Sequence, residues 1–380
     1  MRILFFTHEK SYGGASRALV TLIKDLKDKH DIYVVVPFKN AKITLELQKL
    51  NVNIISCFYS WYQVPVNISK FKKLMYKGAY LFNYLSFYYL VKMIKKLDID
   101  IIHSNTSVID IGARVAKKLN IPHVWHFREF TGTHLKFIKS NAQTYNFINN
   151  NAGNIIYISK AIQTFYEQNI NKLLGTLIYD GVSSEFVVDK KYKTKKDITF
   201  LLVATLEKNK GQVLAIKALS ILKQKGYNNF KLLLAGGDPT GYSSYLNDLI
   251  KEYKLDQNVE YIGFIDDMKS LRKKVDVELM CAPSEAFGLV TIEGMLAGNP
   301  IIGSNSGATS ELIKNDINGY LYELNNEDDL ASKMELFLTT PNLVSKLGIK
   351  AKEYALKNFS SDNNSKSTIK LYNKILKEKK

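Results

Sequence analysis

The sequence predicts an α/β protein built as two doubly wound domains, and three observations lead there. Short β-branched apolar runs alternate with amphipathic helical segments along most of the 380 residues. The alternation stops at a lysine-rich stretch, residues 187–196, and then restarts. The length itself suits two domains at roughly 100–200 residues each. The runs are apolar throughout rather than at every second position, as expected of parallel strands covered by helices on both faces.

In chain order, Arg2-Ile-Leu-Phe-Phe6 reads as a strand, followed by a glycine turn and a helix over residues 15–27. Asp31-Ile-Tyr-Val-Val-Val36 and Val52-Asn-Ile-Ile-Ser56 are further strands, then Ile99-Asp-Ile-Ile102, a helix through 115–119, and His123-Val-Trp-His126. Asn154-Ile-Ile-Tyr-Ile-Ser159 closes this first series. The second opens at Asp197-Ile-Thr-Phe-Leu-Leu-Val203, with a helix over 212–224 and the strand Phe230-Lys-Leu-Leu-Leu-Ala235. Asn258-Val-Glu-Tyr-Ile262, Val275-Asp-Val-Glu-Leu-Met280 and Pro300-Ile-Ile-Gly303 continue it. Residues 187–196, with five lysines and no apolar period, read as the interdomain connection. The expected domains are therefore 1–186 and 187–358, and residues 359–380 form one more amphipathic helix. Ligands are expected at strand carboxyl ends and in the cleft between domains.

Composition narrows the class. With 46% hydrophobic and 23% charged residues the chain is an ordinary globular one, which excludes disordered and collagen-like order. Cys57 and Cys281 lie too far apart in sequence to form a metal or disulfide framework, so a reducing, cytoplasmic setting is expected. The first apolar run ends after four residues, too short for the core of a secretory leader. The net charge of +17 is uneven: residues 1–190 carry +12, residues 191–380 carry +5, and residues 51–150 alone carry +9. A basic N-terminal half points to an acidic partner, although solvated charge runs are common. No zinc-finger spacing, RNP-like octamer or basic heptad region accompanies the charge, so nucleic acid is not the expected partner.

Two glycine-bearing segments carry candidate chemistry. In Ser11-Tyr-Gly13-Gly14-Ala15-Ser16, paired glycines between the first strand and helix allow close backbone approach, and the helix start offers N–H groups to an anion. Taken alone it is equally a plain tight turn. Ser284-Glu285-Ala-Phe287-Gly288-Leu289-Val290-Thr-Ile-Glu293 follows a buried strand, so Gly288 can open a helix whose N–H groups face a diphosphate. Glu293 would then grip a diol such as a ribose, and Glu285 would reach hydroxyls further along the ligand. Two glutamates eight residues apart are also ordinary helix-start acids.

The surroundings of that segment resemble the signature of glycosyltransferase family four, retaining nucleotide-sugar transferases of the GT-B fold. Other matches follow in the family's order. Gly13-Gly14-Ala15 resembles its N-terminal glycine loop, Trp125-His126-Phe-Arg128-Glu129 its active-site histidine segment, and Leu177-Ile-Tyr-Asp180-Gly181-Val182 its Asn-Gly-Val stretch, with Asp180 for the usual Asn. Lys210-Gly211 resembles the phosphate lysine, Leu233-Leu-Ala-Gly-Gly237 the next glycine turn, Val259-Glu-Tyr-Ile-Gly263 the base-pocket strand, and Gly307 with Glu311 the loop beyond. The resemblance implies that Glu293 binds the ribose, that Glu285 and the backbone of residues 287–290 hold the donor sugar and phosphates, and that Lys210 neutralises the departing diphosphate. It implies that His126 contacts the donor sugar, that no protein nucleophile or metal takes part, and that the last helix crosses back onto the N-terminal domain. The implied donor is a nucleotide sugar, for which UDP is expected, and the implied acceptor a glycan or polyprenyl-linked glycan of bacterial surface polysaccharide synthesis.

One departure stands out: where the family places a Gly-Arg pair before the lysine, this chain has Ala204-Thr205, and Lys208 is the nearest basic substitute, without arginine's bidentate fork. The departure leaves open an inactive member serving as a partner subunit. A nucleotide-sugar 2-epimerase shares the fold but lacks the glutamate-spaced signature. Finally, residues 70–96 place seven lysines around a 14-residue uncharged aromatic core, short of the roughly 20 residues that span a bilayer. That pattern fits either peripheral docking on the anionic inner face of the cell membrane or a helix packed on its own sheet.

Overall fold

The computed structural model describes residues 1–380 except 66–67, 132–134, 138–140, 152, 169, 171–174, 193–196, 341 and 380. It divides into two compact units, Met1–Gly181 with Ser361–Lys380, and Val182–Ser360.

The N-terminal unit runs β1 (Arg2–Phe6), α1 (Gly14–Leu26), β2 (Asp31–Val36), α2 (Lys42–Lys49), β3 (Asn53–Ser56), β4 (Gln63–Pro65), α3 (Lys70–Leu81), α4 (Asn83–Ile94), β5 (Ile101–Ser104), α5 (Ile111–Leu119), β6 (His123–Phe127), β7 (Leu135–Phe137), α6 (Asn141–Asn151), β8 (Asn154–Tyr157), α7 (Lys160–Glu167) and β9 (Gly175–Leu177). Its main sheet has the order β3-β2-β1-β5-β6-β8-β9, every pair parallel. Burial on both faces explains the unbroken apolar runs. Ile3 and Phe5 face a core shared with Leu19 and Ile23 of α1, while Leu4 and Phe6 face one shared with Leu90 of α4 and Val115 of α5.

The C-terminal unit runs β10 (Ile198–Val203), α8 (Gln212–Gln224), β11 (Phe230–Ala235), α9 (Tyr242–Glu252), β12 (Val259–Gly263), α10 (Met268–Lys274), β13 (Val277–Met280), α11 (Leu289–Leu296), β14 (Ile301–Ser304), α12 (Thr309–Leu312), β15 (Gly319–Tyr322), α13 (Glu327–Thr339) and α14 (Leu343–Asn358). The parallel sheet has the order β12-β11-β10-β13-β14-β15. The last helix, α15 (Ser361–Lys379), belongs to the N-terminal unit, where Leu371, Tyr372 and Ile375 join the core that α1 covers.

The structure corrects three expectations. Residues 154–159 do not close the first series, because β9 pairs outside β8, and β15 likewise adds an outer strand to the second sheet. Both are short edge strands that begin with glycine, too brief for an apolar run to register. The expected boundary at 186/187 falls instead at 181/182. Val182 N–H donates to Phe359 O at 2.9 Å, tying the chain to the C-terminal unit five residues earlier. The described part of the 187–196 connection, residues 187–192, is itself held on that unit, with Tyr192 Oη donating to Gly298 O at 2.8 Å. Such tyrosine and lysine contacts have no period to read; residues 193–196 lie outside the described residues.

Because α15 completes the N-terminal core, Leu371→Ala is expected to destabilise the N-terminal unit by about 2–5 kcal/mol. Urea unfolding followed by domain-specific probes should show only that unit's transition shifted.

Candidate functional site

In each main sheet the strand order reverses beside its first strand, between β1 and β5 and between β10 and β13. Loops leaving the carboxyl ends of such a pair run in opposite directions and leave a crevice between them. The candidate residues gather at these two places, one in each unit.

In the C-terminal unit Gly211 brings the two loops together. It caps α8 at φ +78°, and a Cβ there would lie 2.2 Å from Cys281 O, the first carbonyl after β13. Only glycine tolerates both the left-handed backbone and that approach. Next to it, Lys210 Nζ lies 3.4 Å from Glu285 Oε1, so two residues 75 positions apart form one ion pair across the switch point. Lys208 is exposed on the same short 3-10 turn, where among the described residues its side chain makes no hydrogen bond or ion pair. Backbone bonds align the neighbouring strand ends: Leu206 N–H donates to Gly237 O at 2.9 Å, and Gly236 N–H to Gly263 O at 2.8 Å. Gly263, at φ +74°, closes β12 with open space where a Cβ would stand.

The helix α11 opens at Gly288, φ +97°, with Leu289 and Val290 half-buried in its first turn. Phe287 differs in its side chain, which is buried and packs edge-on against Phe359 at 6.1 Å, a core residue whose backbone alone is at the loop. Glu293 is 3% exposed, and its Oε2 accepts a bond from Arg272 Nη1 at 2.9 Å. Arg272 Nε donates to Glu278 Oε1 at 3.1 Å, and Asn299 Nδ2 to the same oxygen at 2.8 Å. Burial disfavours the Arg272 charge, yet Glu278 and Glu293 outweigh it and leave the guanidinium more basic than usual. Neither Arg272 nor Glu278 was a sequence candidate. The readable signal was Glu278 within the apolar strand Val277-Glu-Leu-Met280, since a buried acid demands a partner.

In the N-terminal unit the glycine loop departs from expectation. Gly13 caps α1 at φ −80°, so no left-handed turn needs it; what it provides is room, because a Cβ would stand 3.2 Å from Glu9 Oε2. Glu9 Oε1 accepts from Ser16 N–H at 3.2 Å and from Ser16 Oγ. The chain's own carboxylate thus occupies part of the helix start that the Gly13-Gly14 reading assigns to an anion. Glu9 was missed because its reach back over the loop is not a sequence pattern.

His126 is buried on β6 amid a polar network. Its Nδ1 lies 3.2 Å from Arg128 Nη2 and 3.2 Å from His103 Nε2, while His103 Nδ1 lies 2.5 Å from Tyr372 Oη. Arg128 also donates to Asp180 Oδ2 and, from Nε, to Asn105 Oδ1 at 3.2 Å. Asp180, standing for the family's usual Asn, is therefore the counter-charge of a buried arginine. Glu129 accepts from Thr106 Oγ1 at 2.6 Å and Ser107 N–H at 3.1 Å, which fastens the loop after β5. Burial first, and Arg128 second, hold His103 and His126 well below the ordinary imidazole pKa. Burial alone takes His123 down to about 3, and it also lowers His8.

Comparison with known proteins identifies the class. The profile for Glycosyltransferase Family 4 matches residues 12–186, and that for Glycosyl transferases group 1 matches residues 184–354. An uncharacterized glycosyltransferase, MJ1178, of Methanocaldococcus jannaschii is 27% identical over 356 residues, 91% of this chain and 90% of the relative. An alpha-1,4-N-acetyl-D-galactosaminyltransferase of Campylobacter jejuni, whose name gives a diNAcBac-PP-undecaprenol-linked acceptor, is 25% identical over 93% of both chains. Anabaena HepE, crystallised with UDP and glucose, superposes with a TM-score of 0.78 at 20% identity, covering 98% of this chain and all of that one. These two units share the GT-B architecture. The chain belongs to glycosyltransferase family four and is a glycosyltransferase.

Removing Arg272 would take the cationic partner from two buried carboxylates. Arg272→Met is expected to cost about 3–5 kcal/mol, read as an earlier urea transition of the C-terminal unit. The N-terminal unit should respond to pH. His8, His103, His123 and His126 have depressed pKa values in the fold, so below pH about 6.5 only the unfolded chain takes up their protons. Their contribution is complete above that pH and is lost as pH falls toward the folded values, by about 1.4 kcal/mol per pH unit for each fully withheld proton. Urea unfolding at pH 7.5 and 5.5 should show the N-terminal transition weakened at the lower pH.

Proposed function

We propose that this glycosyltransferase moves a sugar, with retention of anomeric configuration, from a UDP-sugar to a polyprenyl-linked glycan acceptor in surface-polysaccharide synthesis. The observation that carries the donor reading is the Lys210–Glu285 pair at the β10/β13 switch point, beside the Gly288-opened helix that bears Glu293. In this reading Lys210 and the first amides of α11 hold the diphosphate, and the cationic Nζ stabilises the charge that grows as the leaving group departs. Glu293, oriented by Arg272, takes the ribose diol, and Glu285 and His126 contact the sugar. Lys210 supplies the charge that a divalent metal supplies elsewhere, so turnover should survive EDTA. Crystallised HepE complexes with UDP and with UDP-glucose support the choice of nucleotide.

The acceptor reading rests on the N-terminal unit. Helices α3 and α4 leave Phe71, Leu74, Met75, Leu81, Phe82 and Leu85 exposed, flanked by seven lysines at 70, 72, 73, 77, 92, 95 and 96. Beside them lies a cleft of about 680 Å³ lined by Tyr80, Tyr84, Phe87 and Tyr88, with Lys77, Lys117 and Lys118 around it. Among the described residues no helix is long and apolar enough to cross a membrane. This surface suits attachment to an anionic bilayer, each lysine contributing about 1 kcal/mol within a Debye length of about 8 Å.

A thermal-shift screen over UDP-, GDP- and ADP-sugars tests the donor. A UDP-sugar at 100 times its Kd adds about 2.7 kcal/mol of stability, and an absence of shift with all of them overturns the reading. Lys210→Ala is expected to lower kcat/KM on the order of 10²-fold; wild-type turnover would remove Lys210 from the site. For the membrane, co-sedimentation with phosphatidylglycerol vesicles should fall at high salt. It should also fall when Lys72, Lys73, Lys95 and Lys96 become Gln, and equal binding by both proteins rejects the docking surface.

A further inference from the structure

We propose that Arg128, His103 and Tyr372 are positioning residues that lock His126 as the neutral Nε2–H tautomer, making it a fixed hydrogen-bond donor to an oxygen of the sugar nucleotide rather than a proton acceptor. The proposal deepens the reading above and rests on His126 contacting the donor sugar.

The assignment follows from donor and acceptor inventory. A guanidinium has only N–H donors, so the 3.2 Å contact from Arg128 Nη2 requires His126 Nδ1 to be the acceptor and carry no proton. A neutral imidazole has one N–H, which must then sit on Nε2. The second contact to the same lone-pair nitrogen, from His103 Nε2 at 3.2 Å, is compatible only if His103 Nε2 is also the protonated nitrogen. That leaves His103 Nδ1 as an acceptor, and Tyr372 Oη, 2.5 Å away, donates to it. One arrangement of protons satisfies all three contacts: Tyr372 to His103, and His103 and Arg128 together to His126. Asp180 completes it by pairing with Arg128, so that a cationic group can stay buried against the ring.

The network ends in an unused donor. His126 is 1% exposed, and among the described residues its Nε2 has no hydrogen-bond partner, although buried polar groups rarely lack one. His123, three residues back on the opposite face of β6, bonds Ser104 Oγ through its Nε2 at 2.9 Å. Among the described residues its Nδ1 likewise has no partner, but this ring lacks the buried guanidinium that sets the tautomer of His126. The depressed pKa values of His103 and His126 agree with neutral rings, since burial and Arg128 both oppose a further proton. Tyr372 lies on α15, so the last helix enters the same proton arrangement from nearly 250 residues away, 269 positions beyond His103.

The test is spectroscopic and needs no substrate. The full chain, labelled with ¹⁵N-histidine, has six imidazoles, and comparison with His126→Asn assigns the signal in long-range ¹H–¹⁵N spectra at pH 7. The proposal expects His126 and His103 each as a single neutral form with the proton on Nε2. A proton on Nδ1, a doubly protonated ring or averaged tautomers at His126 would overturn it. Tyr372→Phe keeps the ring but removes the donor; it should set His103 exchanging between tautomers and lower kcat for UDP release from UDP-glucose at least tenfold, with KM changed less than twofold. His103→Gln, whose amide can still donate to His126 Nδ1, should retain most of the turnover that His103→Leu loses. Unchanged spectra and turnover in Tyr372→Phe, or equal losses in the Gln and Leu variants, reject the positioning role. Full turnover in His126→Ala would instead sink the contact with the sugar, while the tautomer spectrum would stand as found.

Discussion

All strands of the two main sheets run parallel, and this constraint organises the rest of the molecule. A parallel neighbour can be reached only by crossing back over the sheet, so every loop that follows a strand emerges at the same edge. Where the order reverses, at β1/β5 and β10/β13, two such loops part and leave polar backbone uncovered. Glu9, Gly13 and Asn105 stand at the first of these places, and Lys208, Lys210 and Glu285 at the second. Residues from distant parts of the chain meet there because topology delivers them, and Gly211 then allows the β10 and β13 loops to touch.

Burying charge in such sheets is costly unless the charge is paired. In the C-terminal unit one guanidinium, Arg272, serves two carboxylates on different elements, Glu278 on β13 and Glu293 on α11. It links a strand to the helix that begins at Gly288, and Gly294 is small because a Cβ there would stand 2.7 Å from the Glu278 carboxylate. The Glu293 carboxylate is thus held by a guanidinium that is itself buried. The N-terminal unit solves the same problem with Arg128 and Asp180, and this pair explains why an acid replaces the family's usual amide at 180.

The sheets and the helices α3 and α4 treat apolar surface differently. The sheet cores are covered on both faces, whereas α3 buries none of its residues and α4 buries only Asn83, Leu90 and Ile94. Its outward rings and methyl groups would be unfavourable in water alone, which is the physical reason to look for an amphiphilic partner there.

By itself the sequence determined the two α/β series, most strand positions and the family, since apolar runs and glycine-punctuated motifs are local patterns. It also placed Lys210 and Glu285 on loops, Glu293 on a helix and His126 on a strand. Tertiary structure alone decided what those side chains meet. Edge strands β9 and β15 were too short to register, and residues 187–192 hold to the C-terminal unit through contacts that carry no period. Arg272, Glu278, Glu9, His103 and Tyr372 are each unremarkable in sequence. Their roles arise from long-range proximity, such as the 269 positions that separate His103 from Tyr372, and hydrogen-bond geometry at that distance leaves no trace in local pattern.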